Sequence, residues 1–523
     1  MNRSVLIFLL VLPEVLTSQS KTDWQHLDSE NDSVLGVSTI RAYEFLKNRE
    51  SKPVIVAIID NGAELTHQDL LGQFWTNTKE IAGNGIDDDK NGYIDDIHGW
   101  NFLGNQKGEN IKRETTELTR LYGSLSKRFE NVDKEHLAKN ELKDFETFQK
   151  MKQIYLQTLK QKEDEVIIYQ NILWNCLQAD RIIKELIKKD SYSENDLRNL
   201  SDTNFQTVAA AKFMIKIIKA ELSISKIEAI IENNKLDLET RLNPAFNIRN
   251  EMIGDNPADL KDNKYGNSQI DAQSPYHGTS IAGIIGALHN GFGIDGIAKN
   301  VKLMILRVLP NGDERDKDVA LAILYAVNNG ADIINCSFGK PFSSHPEFVE
   351  YAMKKAERAG VLIVHASGNY GQNNDSIPAY PTGYYANGTR AKNWINVGAC
   401  HSKDDENIIA SFSNYGKKSV DIFAPGVDIN SCALNSKYES GSGTSIAAPI
   451  VSGIAAVLKS YYPKLSAVQI KEIIIQSAWQ PKTEKTILVG QAKKELKLKD
   501  ISVSGGIANL YRSILFIESK KKK

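Results

Sequence analysis

Three short segments carry an acid, a base and a nucleophile in one order along the chain. Asp60 closes VIVAIIDNG, His277 opens HGTSIAGIIGA, and Ser445 sits in GSGTSIAAP. A serine hydroxyl is a poor nucleophile at neutral pH. It needs a base within hydrogen-bond reach, and the base needs a partner that fixes its tautomer. His277 is the candidate base for Ser445, and Asp60 the candidate partner of its second ring nitrogen. The order Asp, His, Ser is one of several unrelated orders in which this chemistry occurs. The tetrahedral intermediate carries negative charge and needs hydrogen-bond donors. Asn369, in the Gly-rich turn SGNYG, supplies an amide, and the Ser445 backbone N–H a second donor. Taken singly, each residue has a plainer explanation as a turn or cap residue. All four together, each beside a strand or helix signal, favour catalysis.

The elements that must position them are legible as apolar runs. Residues 54–60, 301–309, 332–338, 361–367 and 395–400 are β-branched and apolar on both faces. Such runs predict strands of a parallel sheet covered by helices on both sides. Helical periodicity fills the gaps at 318–329 and 346–359, each closed by glycine. Further helices are expected from Thr444 to Tyr462, stopped near Pro463, and after Ser466 as cap. Asp60 then ends a buried strand, where an unpartnered carboxylate would be costly. Ser445 falls at the positive end of a helix dipole.

The segment 112–245 breaks this rhythm. It is rich in Lys, Glu, Leu and Ile, has one glycine (Gly123), and has no proline before Pro244. Apolar residues recur at three and four, which predicts two or three long helices with a polar break at 190–204. An antiparallel hairpin or small bundle is the expected form. The fold class expected overall is α/β, a doubly wound and mostly parallel sheet flanked by helices, with a large all-helical insertion. The expected division is a signal peptide at 1–18, a catalytic domain at 34–111 and 246–515, the insertion at 112–245, and a solvated Lys-rich tail at 516–523.

Composition narrows the function classes. With 523 residues, 41% hydrophobic and 25% charged, the chain reads as globular. A formal net charge of −1 argues against a nucleic-acid partner held by bulk electrostatics. At the N-terminus, Arg3, the apolar run Val5–Leu12 and small residues near Ser18 predict a secretory signal peptide, hence a secreted or cell-envelope location. No later segment reads as long and apolar enough to be a membrane helix. The cysteines, Cys176, Cys336, Cys400 and Cys432, show no disulfide framework and no metal spacing. The segment GNGIDDDKNGYIDD places Asp87, Asp89, Asn91 and Asp95 around Gly92. Oxygen ligands at that spacing suit a structural Ca²⁺, although His98 stands where a full EF-hand has its bidentate Glu.

The three catalytic segments together resemble the subtilisin-like serine peptidases (subtilases). The family patterns are an apolar run then D-[ST]-G, HGTHVAG, and GTS-x-A-x-P; here they read IIDNG, HGTSIAG and GTSIAAP. The resemblance covers roughly residues 34–104 and 250–515. It implies a serine endopeptidase with Asp60, His277 and Ser445 as catalytic residues and Asn369 in the oxyanion hole. INCSFG resembles the family's substrate-binding strand, which implies that Ser337, Phe338 and Gly339 pair with substrate backbone by strand addition. It also raises the expectation of calcium. Two positions depart from the pattern: Asn61 stands for Ser or Thr, and Ser280 for the second His. Too few residues lie between the expected cleavage and the core for the family's usual inhibitory propeptide. Polypeptides are the expected substrates. The Leu and Ile stripe of the insertion is expected to form its own core. Its position between Asp60 and His277 motivates a sharper hypothesis, that it shields the cleft, restricts substrate size or docks a protein partner. The alternative is a catalytically inactive subtilase fold that binds through its insertion.

Overall fold

The computed structural model describes residues 23–200, 204–484, 486–490 and 492–521. The expected signal peptide, 1–18, lies outside them. The apolar runs form a seven-stranded parallel sheet: β1 (Val54–Asp60), β2 (Gly99–Asn101), β3 (Val301–Arg307), β4 (Ile333–Cys336), β5 (Leu362–Ala366), β6 (Trp394–Cys400) and β7 (Ile422–Pro425). Their order is β2-β3-β1-β4-β5-β6-β7. Alternate side chains of β1 enter opposite cores: Val56 and Ile58 one, Ala57 and Ile59 the other. That period of two on a sheet covered on both faces is why the run is apolar throughout.

Helix α1 (Thr39–Leu46) precedes the sheet. Between β2 and β3 the chain leaves it to form α2 (Glu117–Phe129), α3 (Leu142–Ile187), α4 (Glu194–Arg198), α5 (Phe205–Lys219), α6 (Ile224–Glu239) and α7 (Ile248–Met252). The expected two or three long helices are one 46-residue helix, α3, with a return path broken into α5 and α6. The return is antiparallel. Tyr155 Oη donates to the Leu242 carbonyl at 2.7 Å and Lys162 Nζ to Asn234 Oδ1 at 3.1 Å. Nearer the far end, Cys176, Ala179 and Ile183 pack on Ala210, Met214 and Ile227. Start and end of the block adjoin, with Thr116 N–H bonded to the Arg241 carbonyl at 3.0 Å. A long excursion with adjoining ends costs the host sheet little closure entropy.

The remaining helices clothe the sheet: α8 (Tyr276–Gly286), α9 (Asp316–Asn328), α10 (Pro346–Ala359), α11 (Thr444–Tyr461), α12 (Ala467–Gln476) and α13 (Leu510–Lys521). α8 and α11 cover one face, α9 and α10 the other. Contrary to expectation, α11 is long and apolar enough to cross a membrane. It is 83% buried against the sheet, and that core position accounts for its composition. The tail expected at 516–523 is helical as far as Lys521, because Ile517 packs into the core and carries the helix on. Two antiparallel ribbons went unpredicted, β8 (Ile429–Ala433) with β9 (Lys437–Gly441), and β10 (Thr486–Val489) with β11 (Lys494–Lys497). β9 and β11 are short and mostly exposed, so their sequence has no apolar run to detect. All four cysteines are buried and unpaired.

Candidate active site

Parallel strands deliver their carboxyl ends to one edge of the sheet, where ligands of open α/β sheets bind. Asp60 ends β1, Ser337 follows β4, and Asn369 follows β5. Two helices start at the same edge, with His277 in the first turn of α8 and Ser445 in the first turn of α11. α8 packs on both β1 and α11.

The Asp60 carboxylate is fully buried and holds His277 Nδ1 at 2.8 Å (Oδ1) and 3.0 Å (Oδ2). The Asn61 N–H binds Asp60 Oδ1 at 2.7 Å. The His277 side chain is 26% exposed, so its other nitrogen can reach a reacting group. Burial lowers the affinity of His277 for a proton. Asp60 outweighs it and holds the pKa above the ordinary 6.5. Asn61, one of the two departures from the family pattern, has a clear task. Its Oδ1 accepts the Gly278 N–H at 2.8 Å, tying the turn after Asp60 to the start of α8.

Asn369 and Ser445 are linked through Thr444. Asn369 Oδ1 accepts from Thr444 N (2.8 Å) and Thr444 Oγ1 (2.9 Å). The amide oxygen is thus engaged, and Nδ2 is left as donor. Gly443 marks the space onto which the donors converge. A methyl group there would lie 3.0 Å from Ser445 Oγ, 3.5 Å from Asn369 Nδ2 and 3.7 Å from Ser445 N. Ser445 N–H is also one of the unpaired donors that open a helix. Ser445 Oγ, Asn369 Nδ2 and Ser445 N therefore all lie within 3.7 Å of one point beside Gly443. Among the described residues, His277 makes no hydrogen bond to Ser445; such bonds are often long in a resting site and tighten on the reacting complex.

Proline explains a contact that the sequence reading missed. Pro449, four residues after Ser445, has no N–H to give the Ser445 carbonyl. Ser337 Oγ donates to that carbonyl instead, at 2.8 Å. Behind it, Asn335 Nδ2 donates to Ser337 Oγ (2.9 Å), and Ser452 Oγ to Asn335 Oδ1 (2.8 Å). Ser337 thus steadies the nucleophile's backbone through its side chain. Its backbone groups and those of Gly339 are unpaired among the described residues, while Phe338 is buried edge-on against His365.

In the acidic loop, two of the expected ligands, Asp87 and Asp89, come together. Asp95 carboxylate oxygens accept backbone N–H groups of Gly83 (2.8 Å), Asn84 (3.2 Å) and Gly85 (2.9 Å), and Asp95 does not join the carboxylate cluster at Asp87 and Asp89. Asn91 Oδ1 is occupied by the Tyr93 N–H at 2.8 Å. Glu80, unmarked by the motif, joins instead: one oxygen each of Glu80, Asp87 and Asp89 lie within 4.8 Å of one another. Backbone direction decides this, since Asp95 adopts φ 55° while the chain brings Glu80 beneath Asp89 N–H at 3.0 Å.

Comparison with known proteins yields one family. The model of the subtilase family matches residues 51–501. A thermostable alkaline protease of Halalkalibacterium halodurans is 39% identical over 203 residues, 39% of this chain and 52% of that protein. Subtilisin Savinase of Lederbergia lenta is 39% identical over 203 residues, 70% of its length. The chain spans about half the length of several relatives it matches. Among solved structures, the prenylagaramide maturation protease PagA has 28% identity and a TM-score of 0.38, over 46% of this chain and 82% of that one.

Proposed function

We infer, since this chain belongs to the subtilase family, that it is an exported serine endopeptidase. Ser445 Oγ attacks the scissile carbonyl while His277 takes its proton. Asp60 holds the imidazole in the tautomer that leaves Nε2 free and stabilises the imidazolium that follows. Asn369 Nδ2 and Ser445 N–H receive the charge on the carbonyl oxygen. His277 then returns the proton to the leaving amine, and an acyl group remains on Ser445. Water, deprotonated by His277, releases it. The unpaired backbone of Ser337 and Gly339 suits an extended polypeptide laid beside the sheet. The observation that carries this reading is the Asp60–His277 pair at the sheet edge where the Ser445 and Asn369 donors converge. Export rests on the N-terminal charge and apolar pattern.

Calcium fits the acidic loop as a structural ion. Glu80, Asp87 and Asp89 offer three converging carboxylates, and among the described residues no Lys, Arg or His pairs with them. Hard oxygen donors of this kind suit Ca²⁺. Bound there, the ion would neutralise the loop and stiffen it.

The decisive test is labelling by a fluorophosphonate probe beside Ser445→Ala and His277→Ala variants. The expected outcome is labelling of the parent protein alone. A folded parent protein that takes no label would favour the inactive binding module.

A further inference from the structure

Lys340 directly follows the Ser337–Gly339 segment, and its side chain is 1% exposed. Its ammonium lies 3.0 Å from Glu117 Oε2 and 2.9 Å from Asp316 Oδ1, and donates to the Glu314 carbonyl at 2.7 Å. Glu117 is the first residue of α2, the first helix of the helical insertion, and its side chain is also 1% exposed. Burial pushes its carboxyl up, but Arg120 and Lys340 outweigh that and hold it at about 2. Two residues on, Phe342 packs on the insertion's Leu118, Met151 and Tyr155. Two further on, the Ser344 hydroxyl bonds Glu117 again. Every second side chain after the substrate-binding segment is therefore held by the insertion. The opposite flank is held as well: Glu114 N–H bonds the Asn311 carbonyl at 3.1 Å, and Glu117 N–H the Asp313 carboxylate at 2.8 Å.

We propose that the helical insertion is a fixed wall that sets the position of the substrate-binding segment, with Glu117 as a positioning residue acting through Lys340. This rests on the peptidase reading above. A hinged lid would have to break the buried Glu117–Lys340 pair, the Ser344–Glu117 bond and the packing of Phe342 at each opening, with Asp316 left to Lys340 and Arg120 to Glu117. A fixed wall keeps the pair intact and fixes where residues 337–339 meet an extended peptide. Glu117 should then govern the binding of substrates long enough to lie along that segment, and spare a small reagent that reacts at Ser445 alone.

The test compares the full-length protein with Glu117→Gln, Lys340→Met and the double variant. Steady-state cleavage of a peptide with several residues on the acyl side is measured beside fluorophosphonate labelling. Glu117→Gln is expected to raise KM about tenfold with kcat and labelling changed by less than about twofold. The double variant is expected to be no worse than the worse single one, since both remove the same contact. Unchanged KM, labelling lost in parallel with peptide cleavage, or additive losses would each overturn the proposal. Amide exchange across 337–345 decides it without any activity: faster exchange in Glu117→Gln supports the tether, and unchanged exchange refutes it. A parent protein that neither labels nor cleaves would overturn the peptidase reading and leave exchange to judge the tether. If Glu117→Gln does not fold, Phe342→Ala loosens the same segment from outside the charge cluster, and the same KM rise is expected.

Discussion

The His277 imidazole has one nitrogen on a buried carboxylate and an edge open to solvent. Only its neutral form can act as base. Because Asp60 raises its pKa above 6.5, the acid limb of the labelling rate is expected to have its midpoint above 6.5. Asp60→Asn removes the raising group and leaves the burial that lowers it, so the midpoint should fall, with a rate loss of about 10⁴-fold. A pH–rate profile of fluorophosphonate labelling checks both. A parent midpoint at or below 6.5 would contradict the pairing. Asn369 makes a different prediction. Its Oδ1 is engaged by Thr444, and its Nδ2 lies 3.5 Å from the point beside Gly443 that is 3.0 Å from Ser445 Oγ. Asn369→Ala should lower kcat by about 10²–10³-fold with little change in KM. A change confined to KM would place the side chain in substrate binding instead.

At the level of elements, two helix starts must meet two strand ends to within a fraction of an ångström. The contact between α8 and the turn after β1 is closest at Gly278, where a methyl group would fall 1.9 Å from the Gly62 carbonyl oxygen. The Asn61–Gly278 hydrogen bond depends on that approach. Gly278→Ala must displace α8 and carry His277 with it. A shift of about 1 Å at a catalytic group costs about 10²-fold. Labelling of the variant should therefore fall by about that factor, and a crystal structure should show the Asp60–His277 bond lengthened. Normal labelling would mean that the helix start tolerates displacement. The same logic applies to the Gly-Thr-Ser approach to α11, where a methyl group on Gly443 would lie 3.0 Å from Ser445 Oγ.

For the whole molecule, the insertion and the acidic loop are the two additions to the sheet scaffold that bear on its stability. The acidic loop follows β1 and packs beneath α9, where Tyr325 Oη reaches Asp96 at 2.5 Å. Ligands that bind only the folded state stabilise it by mass action, by about 2.7 kcal/mol at 100 times Kd. Chelation of calcium is thus expected to lower Tm by roughly 2–3 °C in a chain of 523 residues. In Asp87→Asn the chelator should have a smaller effect. Equal shifts in both proteins, read by calorimetry, would remove the ion from this loop.

What the sequence by itself determined was the scaffold of the long elements. The five apolar runs became β1, β3, β4, β5 and β6 to within two residues at each end, because a strand buried on both faces is apolar along most of its length. Asp60, His277, Ser445 and Asn369 stood out as candidates because each sits near where such an element starts or stops. Other features were decided only by tertiary structure. Asp95 turned toward the Gly83–Gly85 backbone, and Glu80 entered the carboxylate cluster, since ligand geometry depends on loop direction and not on spacing. Ser337 became a partner of the Ser445 carbonyl because Pro449, in another element, left that oxygen without its helical donor. The union of Glu117 with Lys340 joins residues 223 apart. A buried ion pair at that separation leaves no periodic trace along the chain, because each partner is specified by the folded position of the other.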